Sequence, residues 1–511
     1  MTALGPAGKI VPLRELARRL SRLKAQGRRI VHCHGVFALL HVGHIRYFES
    51  AKKFGDVLVV TVTPDRFVNK GPGRPAFPEA LRAEAIAALS SVDYVAVNEW
   101  PTAVETLKLL KPDFYVKGPD YKDAAKDRTG GISREEAAVK AAGGRLVVTD
   151  DVCFSSSSLI NRHLPQLPEA TQRYLRRFAG RHAIGEVLAA LDACRPLRFL
   201  TIGESIVDEY VYCNAIGKSS KEPMLAVQHL ETERFAGGIL AVANHLARFC
   251  GKVSLASFLG ERDSYEGFLR RRLHENVSAR FFLKKDSPTI VKRRFIDRYF
   301  FTKLLAVYEM NDAPLAADDN KRFCDFLRRR AGEFDGVLVT DYGHGVMTDE
   351  AIDIVCQQAR FLAVNTQSNA GNLGYHTVSR YRRADYVCMA ENEFRLEVRD
   401  RHMPARDVLL KVAAKMNCPK IIMTQGKSGC LAYSKKEGIF AVPAVAGAVV
   451  DRMGAGDAFL AVTAPCVLQG APIEAVALIG NAAGAQAAGT VGNRAAIERV
   501  GLMRHLETLL K

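Results

Sequence analysis

The sequence predicts two α/β domains in one chain: an N-terminal doubly wound parallel sheet, and a C-terminal α/β domain carrying a small β lid. Three observations lead there. The chain has 511 residues, more than one ordinary core accommodates. Short apolar strands alternate with amphipathic helices along most of its length, the pattern of parallel sheets covered on both faces. At 48% hydrophobic and 25% charged, the composition is that of a globular protein, and no apolar run approaches the eighteen or so residues of a membrane span.

In chain order, Leu13, Leu16, Leu20 and Leu23 recur at helical spacing and predict an amphipathic first helix. A strand in "RRIVHCHG" follows, then helix "HIRYFESAKKFG", strand "DVLVVTVTP", helix "PEALRAEAIAALSS", strand "DYVAVNE", helix "PTAVETLKLLK" and strand "PDFYVKG". After a polar loop come a helix ending at "AAGG" and the strand "RLVVTD". The first domain is therefore expected over 1–165. Residues 166–196, basic and bracketed by Pro165, Pro168 and Pro196, predict a helical linker. The strand "LRFLTIGES" opens a second domain expected over 197–511.

Lysine and arginine number 72 against 55 acidic residues, a formal net charge of +17. Such a field favours anionic ligands. No basic motif interleaved with aromatics accompanies it, so neither nucleic acid nor a membrane is an expected partner. Eleven cysteines are scattered without a C-x-x-C pair, and the N-terminus lacks a secretory pattern. Both features predict a cytoplasmic protein.

The stretch "GVFALLHVGH" (35–44) sets His41 and His44 around Gly43 between a strand and a helix. In a doubly wound sheet this junction is where ligands bind, and a helix N-terminus attracts phosphate. Two imidazoles there can stabilise negative charge building on an α-phosphate. A packed histidine pair or a metal pair is the alternative reading of an isolated H-x-x-H. Together with "NKGPGRPAF", "LRAEAI", "VKGPDY" and "FSSSSLI" in that order, the stretch resembles the HxGH nucleotidyltransferases of the cytidylyltransferase-like branch. The resemblance implies a Rossmann-like fold, with His41 and His44 on the nucleotide phosphates and Lys70 and Arg82 as cationic clamps. Asp120 and Tyr121 would lie near the nucleoside, and Ser155, Ser156 and Ser157 would cap a helix against phosphate. The family's usual Asp is replaced here by Ala38.

A second constellation, "DRMGAGDAF", follows a stretch expected to be a strand, "GAVV", and opens a long apolar helix. Gly454, Ala455 and Gly456 let backbone N–H groups converge into a nest for a γ-phosphate, and Asp457 can take a proton from an attacking hydroxyl. With "AGGILAVANHLA" and "TDYGHG" preceding it, this region resembles the ribokinase-like, or PfkB, sugar kinases. The resemblance implies that Asp208, Gly237 and Gly238 contact a sugar with Asp341 nearby, that Glu393 helps hold Mg²⁺, and that Thr424, Gly426, Gly429 and Asn481 line an ATP site. It also implies that 278–312 forms the β lid and that the protein is a homodimer joined through it. Three departures bear on specificity: Ala241 and Val242 stand where a sugar-binding Asn is common, with Asn244 a turn later, Ala390 replaces the Asn of an N-x-x-E motif, and Asn365 stands where Asp is frequent.

The pairing resembles the bifunctional enzymes of ADP-heptose synthesis, with the domain order reversed. It implies a sugar or sugar phosphate and nucleoside triphosphates as substrates, with ATP, Mg²⁺ and either ATP or CTP as nucleotidyl donor. The alternative is a nucleotidyltransferase whose kinase-like domain only regulates or dimerises.

Overall fold

The computed structural model describes residues 6–68, 70–71, 74–118, 131–149, 167–369, 371–447 and 449–511. The chain divides into two compact units, Met1–Pro168 with Glu507–Lys511, and Glu169–Leu506.

The first unit is built on β1 (Ile30–Gly35), β2 (Val57–Val62), β3 (Tyr94–Val97), β4 (Phe114–Lys117) and β5 (Arg145–Val148), all parallel in the order β3-β2-β1-β4-β5. Strand side chains alternate between faces, and both faces are covered. Val31, Cys33, Leu58 and Val60 join one apolar cluster, whereas Ile30, Val57 and Val59 join another with Leu16 and Leu20 of the predicted first helix. The order reverses between β1 and β4, which sets the ligand crevice at the carboxyl end of β1, next to His41 and His44.

The second unit starts within the predicted linker. That stretch folds as two helices, Glu169–Arg181 and Ile184–Asp192. Tyr174, Arg181 and His182 all bond the buried carboxylate of Glu474 in the same unit. The main sheet contains β6 (Arg198–Gly203), β9 (Lys252–Arg262), β10 (Val277–Pro288), β13 (Gly336–Asp341), β14 (Leu362–Thr366), β15 (Tyr386–Ala390), β16 (Lys420–Thr424), β17 (Cys430–Ser434) and β18 (Gly438–Val442). Its order is β10-β9-β6-β13-β14-β15-β16-β17-β18, antiparallel only at β16–β17 and β17–β18. A second sheet, β12-β11-β7-β8, combines β7 (Ser205–Lys218), β8 (Leu225–Gly238), β11 (Ile290–Asp297) and β12 (Thr302–Glu309).

This second sheet corrects the expected extent of the lid. Val277–Pro288 pairs in register with β9 and belongs to the main sheet, so only the later half of the predicted lid, β11 and β12, enters the small sheet. The other two strands come from 205–238. The reason lies in β7, whose first nine residues are buried and whose last five, Asn214–Lys218, are largely exposed: one strand leaves the core and continues into the lid.

Candidate functional site

At the end of β1 the chain turns through Phe37, in left-handed conformation at φ 49°, and enters helix Val42–Lys52. His41 is the N-cap, its Nδ1 accepting from the Gly43 N–H at 3.1 Å. The His41 and His44 rings stack at 3.9 Å between centroids, and Phe37 meets His44 edge-on at 5.2 Å. Burial pushes the His41 imidazole below its ordinary range. It pushes His44 down to about 3, with His41 and Lys70 adding to the shift. His44 Nδ1 is buried without a hydrogen bond among the described residues. The helix start therefore presents two stacked imidazoles, each favoured in its neutral form by burial, with Lys70 electrostatically adjacent to His44.

Arg82 is differently disposed from an open clamp. Its side chain is 1% exposed. Nε donates to Phe77 O at 2.9 Å, Nη1 to Val36 O, and Nη2 to Thr63 O and the Asp65 carboxylate. Four of the five guanidinium N–H groups thus hold the loops around the crevice together. Ala38 is buried at the position of the family's Asp. Asp120, Tyr121, Ser155, Ser156 and Ser157 lie outside the described residues.

Sequence reading missed a polar cluster beneath this crevice. His32 Nε2 and His34 Nδ1 both meet Thr61 Oγ1, at 2.7 and 2.8 Å. Lys117, at the end of β4, pairs with Glu135 at 3.0 Å, and Tyr115 donates to the same carboxylate. Alternation in "IVHCHG" puts both histidines on one face, which is the signal that could have found them.

In the second unit, Asp457 lies in the first turn of helix Ala455–Leu468, whose N-cap Gly454 is left-handed at φ 79°. A Cβ on Gly454 would lie 2.2 Å from Asn493 Oδ1, so only glycine fits. The Asp457 carboxylate accepts from Tyr342 OH at 3.1 Å and Gln367 Nε2 at 3.2 Å. Burial pushes it up to about 6; Asp208 adds to the rise, while the Tyr342 and Gln367 hydrogen bonds and the charge of Lys292 oppose it. Burial pushes the Lys292 ammonium below its ordinary range against the pull of Asp208.

Asp208 accepts from Arg294 Nη1 at 2.6 Å and from Asn493 Nδ2 at 3.4 Å. A Cβ on Gly237 would sit 2.0 Å from Asp208 Oδ2, which explains glycine there. Gly238, left-handed at φ 59°, caps helix Ile239–Ala247. On that helix Ala241 is buried, and Asn244 is turned to the Arg272 carbonyl and the His274 N–H. Asp341 is 1% exposed, and its carboxylate is engaged by Tyr381 OH at 2.8 Å, the Gly343 N–H at 3.2 Å and His376 Nε2 at 2.8 Å. It faces the interior. Behind it, Glu204 accepts the Tyr342 and His344 N–H groups at 3.0 Å each, and burial with Asp341 nearby raises its carboxyl. Through these bonds Glu204 sets the turn that aims Tyr342 at Asp457. Tyr342, Gln367, Lys292, Arg294 and Asn493 were not singled out from sequence, because only the folded sheet edges bring them together.

Glu393 lies in the first turn of helix Glu391–Val398, which Ala390 caps without a side-chain bond. Its Oε1 accepts from Ser368, its Oε2 is buried without a hydrogen-bond partner among the described residues, and burial raises its carboxyl. No group of three or more potential metal ligands occurs among the described residues. A lone orphaned carboxylate fits Mg²⁺, which keeps several waters and takes its other ligands from phosphates. Thr424 ends β16 and donates to Met389 O at 3.3 Å, while Gly426 and Gly429, both left-handed, form the turn after it. Asn481 donates to the Val442 and Pro443 carbonyls at 3.1 Å, holding the strand that faces that turn. Asn365 Nδ2 donates to Cys388 O at 2.6 Å, leaving its Oδ1 buried and unpartnered.

Comparison with known proteins separates the same two regions. Residues 32–162 match the cytidylyltransferase-like family model, and 198–499 match that of the pfkB family carbohydrate kinases. The bifunctional protein HldE of Methylobacillus flagellatus is 39% identical over 160 residues, 31% of each chain. That of Gluconobacter oxydans is 37% identical over 163 residues, 32% of this chain and 33% of the other. The chain thus spans about a third of the length of the curated relatives it matches, through its N-terminal part. Phosphofructokinase-2 from Escherichia coli, solved in complex with potassium, superposes with a TM-score of 0.51 at 17% identity, over 62% of this chain and 100% of that one. The likeness establishes the fold of the second unit. With a family match covering well over half of its residues, the chain belongs to the pfkB family of carbohydrate kinases.

Proposed function

We propose that the protein is a bifunctional enzyme of nucleotide-sugar synthesis. The C-terminal domain phosphorylates a heptose-like sugar or sugar phosphate at its anomeric hydroxyl with ATP. The N-terminal domain transfers a nucleotidyl group from ATP or CTP to the resulting sugar 1-phosphate and releases pyrophosphate. The observation that carries the reading is Asp457, a carboxylate at a helix start whose proton affinity is raised to about 6 and whose position is held by Tyr342 and Gln367. A general base works best with a pKa near the operating pH.

In the kinase step, Asp208 and Asn493 orient the sugar and Asp457 takes the acceptor proton. The acceptor oxygen bonds to the γ-phosphorus, and the bond to the β–γ bridging oxygen breaks as ADP leaves. The N–H groups at Gly454–Gly456 and the charge of Lys292 steady the transferring phosphoryl group. Glu393 would hold Mg²⁺, which when bound neutralises charge on the nucleotide phosphates. Thr424, Gly426, Gly429 and Asn481 frame the nucleotide pocket. In the transferase step, an oxygen of the sugar 1-phosphate bonds to the α-phosphorus while His41 and His44 donate to the α-phosphate with Lys70 beside them, and the bond to the α–β bridging oxygen breaks as pyrophosphate leaves. Exposed apolar residues of the small sheet, among them Ile216, Leu225 and Leu305, support a homodimer joined there. The described cysteines are free and buried, in keeping with a cytoplasmic protein.

A second reading, a transferase with a regulatory kinase-like domain, draws on the apolar Ala241 and Ala390. Mass spectrometry after incubation with Mg²⁺, ATP, CTP and a panel of sugars and sugar phosphates including heptose 7-phosphate decides between them. A nucleotide-sugar mass supports the bifunctional reading, and its base names the donor. A product that forms only from supplied sugar 1-phosphate favours the second reading.

A further inference from the structure

The glycine turn that precedes Asp457 is entered through a second aspartate, Asp451, whose carboxylate has no part in the chemistry above. Its side chain is 1% exposed, and both oxygens are engaged. Oδ1 accepts from the Met453 N–H at 3.2 Å and from Lys303 Nζ at 2.7 Å. Oδ2 accepts from Tyr210 OH at 2.6 Å and from the Gly492 N–H at 3.0 Å. Burial alone would raise this carboxyl, yet Lys303, Tyr210 and the two N–H groups hold it below its ordinary range.

Two of these bonds set the walls of the kinase site. Met453 immediately precedes Gly454, so its N–H fixes where the Gly454–Gly456 turn begins. Gly492 immediately precedes Asn493, whose Nδ2 reaches Asp208 at 3.4 Å and whose Oδ1 stands 2.2 Å from where a Cβ on Gly454 would fall. The other two donors come from the small sheet, Tyr210 on β7 and Lys303 on β12. Burial, with the Asp451 charge beside it, raises the Tyr210 hydroxyl above its ordinary range, so it donates as a neutral group. Of the four donors Lys303 alone carries a charge, and its ammonium lies 5.7 Å from the centre of the Tyr210 ring. The turn before β12 adds an apolar link, because Phe301 and Met453 pack against one aromatic cluster with Tyr210 and Tyr212. A carboxylate withdrawn from water needs a compensating charge, and removing its cation leaves it uncompensated.

Resting on the kinase reading above, we infer that Lys303 is a positioning residue for phosphoryl transfer: reaching from the small sheet, it is the built-in counter-ion of Asp451 and so holds the Gly454–Gly456 turn and Asn493 in the geometry that Asp457 requires. It acts through Asp451 and not on the reacting atoms. The small sheet thereby supplies the charge on which the phosphate turn is set, in addition to the strands beside the acceptor site. A turn that relaxes by a fraction of an ångström moves the N–H groups of the nest and the carboxylate of Asp457 together, and orientation errors of that size are expensive in rate.

The test uses the full-length protein and Lys303→Met, which keeps the apolar stem near Tyr210 and removes the ammonium. Lys303→Gln, also neutral, is measured in parallel so that a folding defect peculiar to methionine does not decide the outcome. With ATP and the sugar that the wild type phosphorylates best, kcat is expected to fall by about 10- to 100-fold in both, while the acceptor KM changes by less than about threefold. Ammonium chloride should restore part of the lost kcat in these variants and leave the wild type unchanged. Tetramethylammonium chloride, which has no N–H to donate, should restore nothing. Lys303→Arg keeps the charge and should lie nearer the wild type than Lys303→Met does. Amide exchange read by mass spectrometry should accelerate over Asp451–Asp457 in the neutral variants and slow again with ammonium. An unchanged kcat in the neutral variants, or a loss that ammonium does not repair and Lys303→Arg shares, overturns the inference. The kinase reading fails separately: a wild type that phosphorylates no sugar of the panel removes the kinase, and ammonium-repaired exchange over the turn then leaves the counter-ion role standing, whereas exchange indifferent to ammonium removes that as well.

Discussion

The two candidate sites bury titratable groups where phosphate is expected to bind, and burial drives each to its uncharged form with opposite consequences. In the N-terminal domain, burial pushes His41 down and His44 down to about 3, so the His44 imidazole is neutral across the physiological range. A neutral imidazole still donates a hydrogen bond to phosphate, a weaker one than imidazolium would make, so its role as a donor survives burial. In the C-terminal domain Asp457 is pushed up to about 6, and its uncharged form is useless as a base. Under the proposed function the cost of burial falls on the kinase step, and pH is expected to separate the two activities.

The largest effect that would break this contrast is at Asp457. Replacing it with Asn is expected to lower sugar phosphorylation by about 10³-fold, within the range of general-base removal, with transfer from supplied sugar 1-phosphate unchanged. Stability moves the other way. A folded pKa raised above the unfolded carboxylate value gives a contribution present below about pH 4 and lost as pH rises through about 6. Asn mimics the protonated form, so calorimetry should give D457N a higher Tm than wild type above pH 6 and an equal one below pH 4. A lower Tm at pH 7 would mean that the carboxylate is better solvated than its surroundings imply.

Next in size is His44→Ala, expected to cost about 10²-fold in nucleotidyl transfer while kinase activity is retained. Pyrophosphate release measured with supplied sugar 1-phosphate isolates this step. If both activities fall together, the lesion is in folding rather than at the phosphate.

The contrast also marks what was legible in the sequence. The parallel sheet of the first domain could be read strand by strand, because "RRIVHCHG", "DVLVVTVTP" and "DYVAVNE" carry their apolar runs locally. That Asp457 and His44 stand at helix starts could be read because the glycines beside them leave a local signature. The lid could not be delimited, since "SARFFLKKD" and "TIVKRRFID" alternate alike and only pairing partners send the first to β9 and the second to β7. Tyr342, Gln367 and Asn493 were hidden for the same reason, their roles arising from contacts across more than 90 residues of sequence in two of the three cases. Arg82 shows the converse: from sequence it is a cation near a phosphate motif, and only the fold reveals that four of its N–H groups are already engaged. Arg82→Ala should accordingly destabilise the N-terminal domain by about 2 kcal/mol, through carbonyls left unpaired, as read by its denaturation midpoint.

A pH profile tests the contrast directly. Kinase kcat/KM should fall tenfold per unit below about pH 6 as Asp457 protonates, whereas His44, held near 3, should add no inflection to the transferase profile from pH 6 to 8. A kinase profile with no inflection between pH 5 and 7 would remove Asp457 from the role of base.

The smallest expected effect sharpens the contrast most. Tyr342 donates to Asp457 at 3.1 Å, and that hydrogen bond holds the carboxyl lower than burial alone would. Tyr342→Phe keeps the ring and removes the donor. At pH 8, where the carboxylate is ionised in both proteins, kcat should fall only a few-fold. The inflection of the kinase profile, however, should move upward, and the gap between variant and wild type should widen steadily as pH drops toward 6. A purely structural loss would lower the whole profile without moving its inflection. The direction of that movement thus distinguishes a hydroxyl that tunes the base from one that merely packs beside it.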